Sequence, residues 1–392
     1  MKLLFFIHQV YKPGGAEVLA INTLIKMKKM GYDVGVVSMY DYQTNGSMQV
    51  FDSLKRHGIS NIHYLQSSPN PKLLELLSLG IKLRKIIKRN NYSALEVSTI
   101  APTILSLASL RFINVKLIVG IHHVYKIERE NTLKHRIYRL LMKYTPRKQV
   151  YFVSEYVKTS SLSYFNGLCE DNCSVIYNSI SENFGPRKST DYYQDLKKKL
   201  SIPLDRQIIL FCGRLSSYKN IDLVLESSKD AIKTMNCHLC FLGATDYNIK
   251  NTDAILEHMK SYIQEENLNE HVSFLGLRDD VHDIMNMSTI LFHPTSLEAF
   301  GLVLVEALAS NCLIITSDSE AIPEVLCGTR STILPISDCK SKNIRVFSKS
   351  LMTILNLPKK EKIDILKMGK QRANQFSEES RVNNLIEFIG RS

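Results

Sequence analysis

The sequence predicts an α/β protein of two doubly wound, Rossmann-like parallel-sheet domains facing a cleft. Three observations carry that expectation. Strand-like runs alternate with helical patterns in both halves of the chain, a βαβα rhythm that argues for parallel sheets. The 392 residues are too many for one ordinary core at about 150 residues per domain. The stretch SENFGPRKST, rich in polar residues with Gly and Pro, parts two periodic blocks near 181–190. The expected domains are 1–185 and 186–375, followed by a helix over 376–392 that packs back on the first. Ligands of open parallel sheets sit beyond the carboxyl ends of the strands, so the chemistry is expected there.

The elements follow in order. KLLFFIHQ is a strand candidate, AEVLAINTLIKMKKMG a helix and YDVGVVSMY a strand; ALEVSTI, VKLIVGI, KQVYFVSE and CSVIYNSI continue the first sheet. The second half runs RQIILFCGR, a helix from about Asn220, CHLCFLG, the helix ILEHMKSYIQEEN, HVSFLG, TILFHP, an apolar helix from Phe300 onward, and CLIITSD. The opening apolar run, Leu3 to Ile7, is shorter than the roughly 7–15 residues of a secretory segment. The apolar uncharged run Val97 to Leu110 contains Pro102 and falls short of the roughly 18 residues of a membrane span. A cytoplasmic protein is expected, peripheral on the inner face of the plasma membrane if it meets lipid.

Hydrophobic residues make up 44% and charged residues 22%, without a low-complexity tract, so both halves should be globular. Of the eight cysteines, Cys237 and Cys240 form a CxxC on a strand, where residues three apart face opposite ways; free thiols are expected. The net charge of +12 is unevenly placed: residues 1–185 hold 24 Lys and Arg against 12 Asp and Glu, and the rest is balanced. IKLRKIIKRNNY, with Lys82, Arg84, Lys85, Lys88 and Arg89, and KHRIYRLLMKYTPRK concentrate that charge. Such a domain favours an anionic membrane surface or an anionic lipid-linked substrate. No helix-turn-helix, zinc-finger or RNP pattern accompanies it, so nucleic acid is not an expected partner.

Three constellations carry chemistry. In YKPGGAEVL, Gly14 and Gly15 allow a tight turn and a close ligand approach before a helix whose first amides suit anions. In FCGRLSSYKN, Arg214 and Lys219 follow a strand and can neutralise a diphosphate. In HPTSLEAFGLVLVEALASN, Glu298 precedes an apolar helix and Glu306 lies inside it. If helical geometry reached Glu298, the two carboxylates would lie within roughly 80° about the axis. One could accept sugar hydroxyls and the other a ribose diol. Asp318 and Glu320 form a literal DxE, read as loop residues and not as a metal site, because Arg214 and Lys219 already supply the charge.

Together these residues closely resemble the retaining, nucleotide-sugar-dependent glycosyltransferases of family four, which have the two-domain GT-B fold. The similar segments are GGAEVLAINTLIKMKKMGYDVGVVS, VIYNSISENF, GRLSSYKNIDLVLES and FLGLRDDVHDIMNMSTILFHPTSLEAFGLVLVEALASNCLIITSDSEAIPEVL, the last with Glu298 and Glu306 at the family's ExxxxxxxE spacing. The resemblance implies that Arg214 and Lys219 bind a donor diphosphate, that Glu306 binds the ribose, and that Glu298 with Ala299, Phe300, Gly301 and Leu302 faces the sugar and phosphates. It places Gly15 against the diphosphate from the other domain and the nucleobase near Gly276, Leu277 and Arg278. His122, beside His123, falls where the family has a strand-end His contacting the donor sugar. Asn311 and Ser319 to Ala321 replace glycines common in the family.

The implied reaction moves a hexose-type sugar from a UDP- or GDP-sugar to a hydroxyl of a glycan or lipid-linked glycan in surface-polysaccharide assembly, with retention and without a metal or other cofactor. A sugar-nucleotide epimerase or phosphorylase on the same fold is the alternative enzyme. A non-catalytic homologue that binds anionic lipid is the alternative from another class.

Overall fold

The computed structural model describes residues 1–8, 15–40, 52–67, 73–111, 113–126, 132–245 and 251–391. The chain divides into two compact units, one of Met1–Ser179 with Glu378–Ser392 and one of Ile180–Ser377.

The first unit is built on seven parallel strands: β1 (Lys2–Ile7), β2 (Asp33–Ser38), β3 (Ile62–Tyr64), β4 (Ala94–Val97), β5 (Lys116–Ile121), β6 (Lys148–Phe152) and β7 (Cys173–Val175). Their order is β3-β2-β1-β4-β5-β6-β7, so the winding reverses between β1 and β4. Leu3, Phe5 and Ile7 of β1 and Leu24 and Met27 of the Gly15–Lys29 helix are buried in one core. Val382, Leu385, Phe388 and Ile389 of the Glu378–Gly390 helix complete it. Their spacing puts one apolar stripe on that helix, and Lys116 Nζ caps its end by donating to the carbonyls of Ile389 and Arg391 at 2.8 and 2.9 Å. LLELLSLG and the basic run after it form one helix, Leu73–Arg89.

The second unit carries six parallel strands: β8 (Gln207–Cys212), β9 (Cys237–Leu242), β10 (Val272–Gly276), β11 (Ile290–His293), β12 (Leu313–Ser317) and β13 (Thr332–Leu334), in the order β10-β9-β8-β11-β12-β13. The winding reverses between β8 and β11. Phe211, Phe241, Phe292 and Phe347 lie in its core. Cys237 and Cys240 are buried on β9, and all eight cysteines are free thiols.

One expected element begins later than its periodicity suggests. The apolar helix runs Leu302–Ala309, not from Phe300, because Gly301 before it adopts φ +85°, a left-handed conformation. Glu298 therefore stands in a loop, and helical geometry does not set its direction relative to Glu306. The Phe300 ring is 2% exposed and meets Phe376 edge-on at 5.4 Å, which anchors that loop to the core. Among the described residues no helix is long and apolar enough to cross a membrane.

Candidate functional site

The strand-end loops of β8 and β11 meet where the winding of the second sheet reverses, which is where an open parallel sheet leaves room for a ligand. Backbone geometry prepares the β8 loop. Gly243 has φ +143°, and a Cβ there would sit 1.9 Å from the Gly213 carbonyl oxygen, so only glycine lets the loops after β8 and β9 run side by side. Asn220 takes the left-handed conformation, and its amide donates to Pro294 O at 2.6 Å and Ser296 Oγ at 2.9 Å. Ser296 N donates to Tyr218 O at 2.8 Å. These bonds bind the β8 loop to the β11 loop.

Lys219 is brought onto Glu298 by that stitching. Its Nζ donates to Glu298 Oε2 at 2.8 Å and to His293 Nε2 at 3.3 Å. Glu298 Oε1 accepts the Gly301 N–H at 3.0 Å, and the Glu298 N–H is held by Glu320 Oε2 at 2.8 Å. Burial would raise the Glu298 carboxyl, but the Lys219 ammonium outweighs it and holds the group below the usual carboxylate range. His293 is 1% exposed, its ring stacked on Phe211 at 5.4 Å, and burial with the Lys219 charge lowers its pKa to about 4. The imidazole is therefore neutral at physiological pH and accepts from Lys219.

Arg214 is exposed, its guanidinium 5.8 Å from the centre of the Tyr218 ring; Lys219 Nζ lies 5.6 Å from the same ring. Two cations thus share one small region of loop. Glu306, in the second turn of the Leu302–Ala309 helix, is partly buried and close enough to Cys212 at the end of β8 to act on its thiol. Its carboxylate has no hydrogen-bond partner among the described residues, and burial alone raises it to about 7. A desolvated carboxylate without a donor suits a ligand that brings hydroxyls.

The other expected residues are placed as follows. Gly276 closes β10 with φ +66° and its carbonyl accepts from Gly243 N at 2.9 Å; Leu277 beside it is 81% exposed. Arg278 forks onto Asp280 at 2.7 and 2.8 Å. Ala299 is partly buried, Gly301 and Leu302 open the helix, and all belong to the Glu298 loop. In the first unit, Gly15 opens the helix after β1 with open space where a Cβ would go, while Gly14 lies outside the described residues. His122 follows β5; its Nε2 lies 3.3 Å from the Tyr151 hydroxyl, and burial plus Arg381 lower its pKa to about 3. His123 is exposed. Among the described residues no group of three His, Cys, Asp or Glu side chains gathers as metal ligands. His293, Asn220 and Glu320 were not singled out as site residues from sequence. The FHP segment and the departure at Ser319 to Ala321 were the available signals.

Two family descriptions match side by side: Glycosyltransferase Family 4 over residues 13–184 and Glycosyl transferases group 1 over residues 193–372. The chain belongs to this glycosyltransferase family. It is 24% identical to an uncharacterized glycosyltransferase of Haemophilus influenzae, over 98% of each chain. It is also 24% identical, over 83% of each chain, to the Campylobacter jejuni enzyme named as the 4-alpha-N-acetylgalactosaminyltransferase acting on N-acetylgalactosamine-N,N'-diacetylbacillosaminyl-diphospho-undecaprenol. The crystal structure of Anabaena HepE in complex with UDP shares the fold, with TM-score 0.80, 18% identity and 99% of each chain covered. The two parallel-sheet α/β units are those of a GT-B glycosyltransferase.

Proposed function

We propose that this glycosyltransferase moves a hexose-type sugar from a nucleotide diphosphate sugar to a hydroxyl of a lipid-linked or growing surface-polysaccharide glycan, with retention at the anomeric carbon. The observation that carries the reading is the partnerless, desolvated carboxylate of Glu306 beside the strand ends that present Arg214 and Lys219. A ribose diol supplies the two donors Glu306 lacks, and the diphosphate supplies the anion for the cations. The UDP bound by HepE and the undecaprenyl-diphosphate glycan in the name of the Campylobacter enzyme support a UDP-sugar donor and a lipid-linked acceptor.

Negative charge grows on the diphosphate as the sugar bond breaks, so cations beside it stabilise the transition state more than the ground state. Arg214 can fork onto two phosphate oxygens. Lys219 is held by Glu298 and His293 in advance, so little reorganisation accompanies charge development. The Gly301 N–H is occupied by Glu298, which leaves the following amides of the Leu302–Ala309 helix to face phosphate oxygens. His122 is the residue we assign to the sugar, and Gly15 the one we assign to the diphosphate. Front-face attack, with the departing phosphate taking the acceptor proton, accounts for retention without a glycosidase-type carboxylate pair. No metal is required in this scheme.

Two helices of the first unit support docking at an anionic membrane. Leu133, Ile137, Leu140 and Tyr144 share one exposed stripe of the Leu133–Tyr144 helix, beside exposed Lys134, Arg136 and Lys143. Leu74, Leu77 and Ile81 do the same on the Leu73–Arg89 helix, beside Lys85, Lys88 and Arg89. Apolar stripes flanked by cations are the pattern of interfacial helices.

The deciding experiment incubates the protein with UDP-, GDP-, ADP- and TDP-sugars, measures binding and nucleotide release, and reads the anomeric configuration of the product by NMR. Binding of at least one sugar nucleotide, lost in Glu306→Ala, is expected. No binding of any, or an unchanged Glu306→Ala, overturns the reading, and an inverted product overturns retention. Co-sedimentation with phosphatidylserine vesicles should weaken with salt; absence of sedimentation at low salt removes the membrane role.

A further inference from the structure

A buried polar cluster in the first unit lies under His122. Glu96 on β4 and Tyr151 on β6 are each 1% exposed, and Arg381 on the Glu378–Gly390 helix is 4% exposed. The Tyr151 hydroxyl donates to Glu96 Oε1 at 2.7 Å and accepts from Arg381 Nη2 at 3.2 Å. Ser98 Oγ also donates to Glu96 Oε1. Arg381 is fixed in turn by Thr23 Oγ1 at 3.2 Å and by the carbonyls of Ile176 and Tyr177 at 3.3 and 3.0 Å. Room for the phenol comes from Gly120 of β5, register partner of Tyr151: a Cβ there would lie 2.4 Å from the Tyr151 hydroxyl and ring.

The protons of this cluster can be counted. A guanidinium only donates, so Tyr151 must accept from Arg381. Its single hydroxyl proton points to Glu96 Oε1, which also accepts from Ser98. What remains on the phenol oxygen is one lone pair; Ser98 Oγ and His122 Nε2 each lie 3.3 Å from it, and the Ser98 proton is already given to Glu96 Oε1, which leaves that lone pair to His122. The contact is a hydrogen bond only if Nε2 bears the hydrogen. Burial and the Arg381 charge keep the ring neutral, so Nδ1 is then bare, and it has no partner among the described residues.

We infer that Tyr151, oriented by Glu96 and Arg381, is a positioning residue that holds His122 in the Nε2–H tautomer and leaves Nδ1 to accept a hydroxyl of the transferred sugar. This rests on the reading that His122 faces the donor. The relay makes the His122 site selective for donors with a hydroxyl at that point, because an acceptor left unpaired by a deoxy sugar is costly. It also ties the orientation of His122 to a residue of the C-terminal helix.

The test labels histidines with nitrogen-15 and records long-range proton–nitrogen spectra of the full chain at pH 7.5, with His122 assigned by its loss in His122→Gln. His122 should show the Nε2–H tautomer. Tyr151→Phe should abolish that pure state and lower kcat/KM by roughly 10–100-fold, with UDP affinity in the second unit unchanged. Glu96→Gln keeps the acceptor oxygen and should preserve the tautomer, which guards against a Tyr151 variant that merely loosens the fold. A His122 proton on Nδ1 in the unaltered protein, or identical His122 signals in Tyr151→Phe, overturns the relay. His122→Ala separates this from the donor-contact reading. Unchanged turnover there sinks the donor contact, whereas lost turnover there with unmoved His122 signals in Tyr151→Phe sinks the relay alone.

Discussion

Each unit gathers a basic side chain, a carboxylate and a neutral histidine at its strand ends, but the two clusters are assembled differently. In the second unit Lys219 comes from the loop after β8, His293 from the end of neighbouring β11 and Glu298 from the loop that follows it, where the sheet winding reverses, and Lys219 bonds the carboxylate directly at 2.8 Å. In the first unit Arg381 and Glu96 meet only through the Tyr151 hydroxyl, with the residues spread over strands and the C-terminal helix. The direct pair keeps a charge beside the proposed donor site; the relayed cluster lies under the surface and offers a neutral ring. A strand-end site can therefore present charge or suppress it, depending on whether a hydroxyl intervenes.

The largest expected effect breaks the direct pair. Lys219→Ala removes a cation and leaves Glu298 partly buried without it, which should lower kcat/KM by roughly 10²–10³-fold, the scale of losing one fixed electrostatic stabiliser. Steady-state nucleotide release measures it, and a fall of less than about threefold would show that the pair is only structural. Next comes Arg381→Met in the relayed cluster. It strands Tyr151, Thr23 and two carbonyls, and at about 1–3 kcal/mol per buried unsatisfied group the denaturation midpoint should drop clearly while UDP affinity holds. Lost UDP affinity would mean that the two clusters are not separable.

A smaller effect is expected at Gly301. Its φ is +85°, and a Cβ there would lie 2.9 Å from Leu304 Cδ1 and 3.3 Å from Glu298 Cγ. Gly301→Ala should cost about 1–2 kcal/mol for the left-handed conformation and disturb the Glu298 loop, read by thermal melting together with donor binding. The smallest is a pH slope. Glu306 has a folded pKa of about 7 against roughly 4.3 unfolded, so the native state holds a proton that the unfolded chain has released. Its stability contribution is present below about 4.3 and is lost as pH rises through 7. Glu298, held low, has the opposite sign: its contribution is present above about 4.3 and is lost only as pH falls. Melting curves of unliganded Glu306→Gln at pH 5 and pH 8 should show a flatter decline with pH than the unaltered chain; an identical decline would contradict the raised pKa.

The second-unit cluster was largely legible because its parts are short stretches with local signatures. Glu298 and Glu306 lie in one run of sequence, and Arg214 and Lys219 lie in one strand-to-helix loop. The clamp of Lys219 onto Glu298 was not legible, since 79 residues separate them and the bonds that align their loops pass through Asn220 and Ser296. Nor was the role of Glu320, read from sequence as a loop residue, whose carboxylate holds the Glu298 N–H. The first-unit cluster was legible only at His122. Tyr151 lies 55 residues from Glu96 and 230 from Arg381, and no local pattern marks a tyrosine on a buried strand as polar in function.

Alternation of apolar runs and helix periods, glycine at turns and the ExxxxxxxE spacing act within a few residues, so the sequence alone determined two parallel-sheet α/β units and which short stretches carry the candidate site residues. The left-handed turn at Gly301, the pairing of Lys219 and the burial that sets Glu306 and Glu298 on opposite sides of the ordinary carboxylate range depend on what distant segments bring alongside. Burial and charge pairing are properties of a neighbourhood in space, and only the tertiary structure decided them.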